Sequence, residues 1–197
     1  MPLQAPFVML AVSPILIALG VVAVVVVGIF GFIISVYNRL VRLRVTCKES
    51  WSDIDTELQR RHDLIPNLVS TVKGYASHEK ELMEKVTELR NQAMQMKSED
   101  PSKRAGVEDM LQGSVGKLIA TAEAYPDLKA NQNFMSLQNE LSETETRVAR
   151  SRRFYNANVR SFRQSTMTFP NNVLAGMFGI QSSEFSFFEA AAGEIGR

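Results

Sequence analysis

The chain has 197 residues with a formal net charge of +1, so bulk charge selects neither nucleic acid nor an acidic partner. Its one cysteine, Cys47, excludes an intrachain disulfide framework. Residues 1–38 carry no Asp, Glu, Lys, Arg or His. A hydrocarbon core needs roughly 20 apolar residues as a helix, and residues 15–36 (ILIALGVVAVVVVGIFGFIISV) supply them. The N-terminal flank lacks the basic residue and the short apolar core of a cleaved signal peptide, so a retained transmembrane helix over 15–37 is expected, after a short N-terminus over 1–14. Arg39, Arg42, Arg44 and Lys48 follow with no acid among them. Positive flanks stay cytoplasmic, which predicts the N-terminus outside and the rest of the chain inside. Within the span, Gly28, Gly31 and Ser35 form a stripe of small residues at spacings of three and four. Such stripes let membrane helices approach closely, which predicts lateral self-association.

From Leu40 the apolar positions Leu43, Cys47, Trp51, Ile54 and Leu58 keep a spacing of three or four, the pattern of a bundle helix. Pro66 interrupts it. A proline lacks an N–H and disfavours helical geometry in the residue before it. Asp63, Pro66 and Asn67 are therefore candidates for a helix junction, with Asp63 or Asn67 capping a new helix. A second stretch, 69–96, turns Val72, Ala76, Met83, Val86, Leu89 and Ala93 inward. The segment Ser98-Glu99-Asp100-Pro101-Ser102 reads as a loop. A third helix is expected over 103–124 and a fourth over 128–168, the latter with Phe134, Leu137, Leu141, Val148, Tyr155, Val159 and Phe162 on one stripe.

The fold class is all-α. A helix unbroken from 38 to 97 would reach about 90 Å at 1.5 Å per residue, and its membrane-proximal half would lack a partner. A reversal near 62–66 is favoured: the transmembrane helix continues into an up-and-down antiparallel four-helix bundle over 38–169. The alternative is a three-helix bundle whose long helix kinks at Pro66.

Several segments resemble the bacterial LemA family: 37–41 (YNRLV), 60–69 (RRHDLIPNLV), 71–75 (TVKGY), His78-Glu79, 153–156 (RFYN) and Phe169-Pro170. The likeness runs from the apolar helix to about residue 180. It implies a single-pass protein of the bacterial inner membrane with a cytoplasmic helical bundle and no established enzyme activity. Some magnetosome-associated members look like participants in membrane remodelling or organelle formation. His62 stands where the family pattern has an aromatic such as Tyr, which weakens a metal reading of that residue.

Catalytic motifs are lacking: there is no phosphate loop, Gly-x-Ser-x-Gly or Cys-x-x-Cys. His62 and His78 are sixteen apart, outside the spacing that converges ligands on a helix. No cofactor, metal, nucleic acid or small-molecule substrate is expected, and His62 reads as a solvated or capping residue. The charge distribution is more specific. No acid occurs over 146–183, where Arg147, Arg150, Arg152, Arg153, Arg160 and Arg163 fall. If the fourth helix returns to the membrane, these join Arg39, Arg42, Arg44 and Lys48 in a basic collar at the lipid surface. The competing reading pairs them with Glu81, Glu84 and Glu88. The collar is expected to vanish if the chain runs straight through Pro66. The tail over 170–197 holds apolar 173–180, then Phe185, Phe187 and Phe188. It packs on the bundle end, touches lipid or joins a neighbouring subunit. The expected role is a membrane-anchored scaffold that self-associates and organises or remodels the bilayer. The alternative is an adaptor presenting its bundle to a soluble or membrane protein partner such as a protease or signalling complex.

Overall fold

The computed structural model describes residues 14–76 and 78–189. Among these residues six α-helices follow in order: α1 (Pro14–Lys73), α2 (Lys80–Gln95), α3 (Pro101–Ala122), α4 (Pro126–Lys129), α5 (Gln132–Met167) and α6 (Asn171–Met177). One-turn 3₁₀ segments cover Met96–Ser98 and Ser182–Glu184. Among the described residues there is no strand, so the all-α class holds.

The favoured reversal at Pro66 is corrected. Pro66 lies inside α1, which runs 60 residues without a break, about 90 Å at 1.5 Å per residue. The Asp63, Pro66, Asn67 junction is therefore not a turn: Asp63 accepts from Gln59 Nε2 at 2.9 Å, and the Asn67 carbonyl accepts from the Ser70 and Thr71 hydroxyls. Proline removes one helical hydrogen bond, the one to the carbonyl four residues earlier. That carbonyl belongs to His62, and Arg90 of α2 donates its Nε to it at 2.7 Å. A tertiary contact thus replaces the lost local one.

The chain turns instead after Lys73, where Tyr75 N and Ala76 N close on the Val72 carbonyl at 3.0 and 2.9 Å. α2 returns along α1, and Asp100 caps α3 by accepting from Ser102 N at 2.9 Å, with Pro101 in the first turn. Asn131 caps α5 in the same way through Asn133 N and Phe134 N. α5 then runs antiparallel to α1 for its whole length. Asn131 meets Tyr75 at 3.0 Å, Arg147 meets Glu57 at 3.9 Å, and the Tyr155 and Trp51 rings are 5.3 Å apart. At 36 residues α5 is about 54 Å long. It therefore reaches alongside α1 back to the segment near Leu40.

Two cores result. In the distal one, Ile65, Leu68 and Val72 of α1 pack with Met83, Val86, Leu89, Leu111, Leu118, Phe134 and Leu141. In the proximal one, Val36, Leu40, Cys47 and Ile54 pack with Tyr155, Val159, Phe162, Leu174, Ile180 and Phe188. The membrane-proximal half of α1, expected to lack a partner if the helix were straight, finds α5 and the tail. The Phe169–Pro170 peptide is cis, and residues 178–189 then strap the bundle. Tyr155 donates to the Ser186 carbonyl at 2.8 Å, and Asn156 Oδ1 accepts from Phe188 N at 2.9 Å. Ser186 Oγ reaches Asp100 at 2.7 Å. The N-terminal part of α1 has no such cover: an 18-residue window with mean hydropathy 3.1 is 0% buried, long and apolar enough to cross a membrane.

Candidate functional site

The ten cations expected at the lipid surface separate into two groups. Arg39, Arg42, Arg44 and Lys48 are exposed on α1 just beyond the apolar stretch. With α5 antiparallel and Tyr155 beside Trp51, Arg160 and Arg163 fall level with them. The expectation that a straight α1 abolishes this juxtaposition does not hold, because α5 is long enough to return. Arg147, Arg150, Arg152 and Arg153 lie farther down. Arg147 sits beside Glu57, about 30 Å along α1 from Val36, several screening lengths away.

Of the acids expected on the second helix, Glu84 pairs with Lys80 and Glu88 with Lys85, and no ion pair joins Glu81 to these arginines among the described residues. Arg147 pairs with Glu143, also exposed, at 2.6 Å, and their hydrogen bond holds the Glu143 carboxyl below its ordinary range. Arg152 reaches Asp109 at 2.6 Å and covers the Phe188 ring at 4.8 Å. Arg44 pairs with Glu184. Arg163 donates twice to the Phe185 carbonyl, at 3.2 and 2.7 Å, and stacks on Phe187. Arg39, Arg42, Lys48 and Arg160 make no ion pair among the described residues and remain available to an outside anion.

Gly28, Gly31 and Ser35 are exposed, and a Cβ at either glycine would meet nothing within 4 Å. At about 100° per residue this stripe faces away from Ile33, Val36 and Leu40, which pack into the proximal core. The surface open to a neighbouring span is thus opposite the one that holds the tail.

The least legible feature is a buried ionic cluster at the level where α1, α2 and α3 meet. Arg61, His62, Arg104 and Glu108 are 4%, 1%, 2% and 1% exposed. Arg61 pairs with Glu108, whose carboxylate also sits 3.1 Å from His62 Nε2 and 3.5 Å from Arg104 Nε. Arg104 reaches Asp55 at 2.8 Å and lies over the Trp51 ring at 5.7 Å. Burial opposes ionisation of Glu108, but hydrogen bonding with His62 and the Arg61 charge outweigh it and hold the carboxyl below its ordinary 4.5. His62 is therefore corrected from a solvated or capping residue to a buried partner of Glu108.

A signal for this cluster was in the sequence. Leu40, Cys47, Ile54, Arg61 and Leu68 form one seven-residue series, with Arg61 in a core position. Arg104 and Glu108 lead the inward series Leu111, Val115, Leu118 and Ala122. A charge on a buried stripe predicts a buried partner. Among the described residues no three of His, Cys, Asp and Glu converge as a metal-holding group. Cys47 is buried, which together with the nearby Glu184 pushes its thiol up to about 11. That fits the small core residue expected there.

Beside the cluster a groove of about 690 Å³ opens between α3 and α5, lined by Arg61, Gly113, Gly116, Gln138, Ser142 and Arg152 among others. The two glycines leave its α3 wall flat, since a Cβ there meets nothing within 4 Å.

Comparison with known proteins points to one family. The family model described as "LemA family" matches residues 50–195. Magnetosome protein MamQ 2 of Paramagnetospirillum magneticum is 25% identical over 202 residues, spanning 90% of this chain and 74% of the relative. Protein LemA of Metamycoplasma hominis is 28% identical over 155 residues, spanning 77% of this chain and 69% of the relative. Magnetosome protein MamQ of Magnetospirillum gryphiswaldense is 23% identical over 199 residues, spanning 87% and 73%.

Proposed function

The chain belongs to the LemA family, and on that premise we propose that it is a membrane-anchored, non-enzymatic scaffold that self-associates and organises or remodels the bilayer around it. The observation that carries this reading is the continuity of α1. One helix of 60 residues joins the apolar segment to the bundle with no linker between them. Lateral packing of spans through Gly28, Gly31 and Ser35 is then transmitted rigidly to the bundles. Relatives that bear the name magnetosome protein support a role in building a structure rather than in a reaction.

The surface contact of the scaffold is narrower than ten cations. Arg39, Arg42, Lys48 and Arg160 are free to meet anionic headgroups, each contributing roughly 1 kcal/mol near such a surface. Basic residues flank the bundle side of the apolar segment, so the orientation is N-terminus outside and bundle in the cytoplasm of a bacterial cell, at the inner membrane. The test is reconstitution of the full chain into vesicles containing anionic lipid. Salt-sensitive clusters and altered vesicle shape are expected. Dispersed single copies in unchanged vesicles would overturn the reading.

The groove between α3 and α5 favours a second reading, an adaptor for a membrane-associated protein partner. Gly113 and Gly116 leave room there for an extended segment or a helix edge, with Arg61 and Arg152 for polar contact. A stoichiometric partner lost on Gly116→Leu substitution is the result that prefers it to the scaffold.

A further inference from the structure

We propose that α6 and its flanks form an apolar foot that inserts into the bilayer leaflet on the bundle side. Met167, Phe169, Val173, Met177 and Phe178 are its lipid-facing residues. The inference rests on the reading that α1 crosses the membrane.

The first argument is position. A hydrocarbon core of about 30 Å takes up roughly 20 helical residues, so a span beginning near Ile15 reaches the interface at about Ser35 to Tyr37. α6 packs at that level. The Phe178 and Tyr37 rings are 4.8 Å apart, and Leu174, Ala175 and Ile180 share one apolar cluster with Val36 and Leu40, with Ile33 packed against it.

The second argument is the exposed face. α6 buries Leu174 and Ala175 and turns Val173 and Met177 outward, at 55% and 73% exposure. The flanking Met167, Phe169 and Phe178 add 68%, 77% and 43%. Elsewhere on the bundle, exposed large apolar side chains such as Met94, Met110 and Phe154 are scattered singly, which is ordinary for a protein surface. Five of them within twelve residues of chain, at one end of the bundle, are not ordinary and mark a contact.

The third argument is charge. Arg163 and Glu184 bound a stretch with no charged residue, in a chain of which 22% is charged. Insertion of this segment therefore desolvates no ion. Arg44 and Arg163 border it, through Glu184 and the Phe185 carbonyl, while Arg39 and Arg42 lie across α1 beside Gly31 and Ser35. An apolar face with basic residues at its margin is the arrangement of an interfacial helix. Continuity with the exposed apolar surface of α1 makes lipid the occupant. A second copy has its own surface on the opposite face of α1, at Gly28, Gly31 and Ser35.

The foot also sets the geometry of the anchor. A lone span is free to tilt and roll, whereas a span with a lateral foot is held at one rotation about its axis. The bundle then stands on the membrane in a fixed orientation.

The test uses the full chain with Cys47→Ala and one nitroxide-labelled cysteine, in phosphatidylcholine–phosphatidylglycerol vesicles at low protein-to-lipid ratio. Labels go at Met177→Cys, Val173→Cys, Val24→Cys in the span and Met110→Cys on the bundle surface. Collision with molecular oxygen, which concentrates in lipid, is compared with collision with a water-soluble nickel chelate. The expected result is loss of nickel collision at 177 and 173, as at 24, with full nickel collision at 110. Nickel access at 177 and 173 equal to that at 110, with 24 in lipid, overturns the foot and leaves the anchor intact. Nickel access at 24 overturns the anchor and the foot with it. Low collision with both reagents at 177 and 173 means that protein covers the face, and it overturns the proposal in favour of a second copy.

Discussion

Arg90 donates its Nε to the carbonyl of His62 at 2.7 Å, and that carbonyl is the one Pro66 leaves without a helical donor. An interior proline costs a helix about 3 kcal/mol or more. Here the guanidinium from α2 recovers part of the loss and fixes α2 to α1 at the same point. The Arg90–His62 contact therefore lets a single helix run from the apolar segment to Lys73.

Arg90→Ala is expected to destabilise the bundle by about 1.5–3 kcal/mol, the range of hydrogen bonds to charged groups. In a Pro66→Ala background residue 66 supplies its own N–H, so the cost of Arg90→Ala shrinks. Denaturant melts of the four proteins of this cycle measure the coupling. Equal costs in both backgrounds would show that Arg90 acts elsewhere.

Glu108 joins Arg61, His62 and Arg104 inside the bundle. Glu108→Ala leaves two guanidiniums buried with one carboxylate fewer, and a loss of about 3–5 kcal/mol is expected. Replacing Arg61, Arg104 and Glu108 together by Met, Met and Leu is expected to cost much less, since apolar substitutes of similar volume often match a buried ion cluster.

The same residue gives an acid dependence. The folded Glu108 carboxyl lies below its ordinary 4.5, so the unfolded chain binds more protons in that range. Its contribution to stability is complete above pH 4.5 and is lost as pH falls below 4.5 through the folded value. Unfolding free energy measured from pH 6 to pH 3 should fall more steeply for the natural chain than for Glu108→Gln.

The Cys47 thiol, buried and raised to about 11, holds almost no thiolate at neutral pH, and thiolate is the reactive form. An aromatic disulfide reagent at pH 8 should modify it only at the rate of unfolding. Rapid modification of the folded protein would place Cys47 at the surface.

Asn156 holds the strap from both sides, accepting from Phe188 N at 2.9 Å and donating to Glu189 at 2.9 Å. Asn156→Ala should release the strap, so limited proteolysis cuts near residues 181–187 faster while the helical core survives. An unchanged cleavage pattern would mean that the aromatic contacts of Phe188 with Trp51 and Arg152 suffice.

Much of this fold was legible in residue spacing. The buried series Phe134, Leu141, Val148, Tyr155 and Phe162 of α5 repeats every seven residues, and the apolar run before Arg39 needs no structure to be noticed. Three things were not legible. Pro66 looked like a turn because local chemistry argues for one, while the donor that rescues the helix comes from Arg90, 28 residues away. The straight α1 looked unpartnered because the tail was not counted as core, although Ile180 and Phe188 bury themselves against it. The buried cluster was not legible in apolar spacing, because Arg61 and Glu108 are charged residues in inward positions.

The most direct test of the scaffold reading is the copy number of the full chain in lipid nanodiscs wide enough for several spans, counted by electron microscopy or single-particle mass at dilute loading. The account predicts discs with multiple copies, reduced to single copies by Gly28→Leu with Gly31→Leu. Single copies of the natural chain at every loading would contradict it.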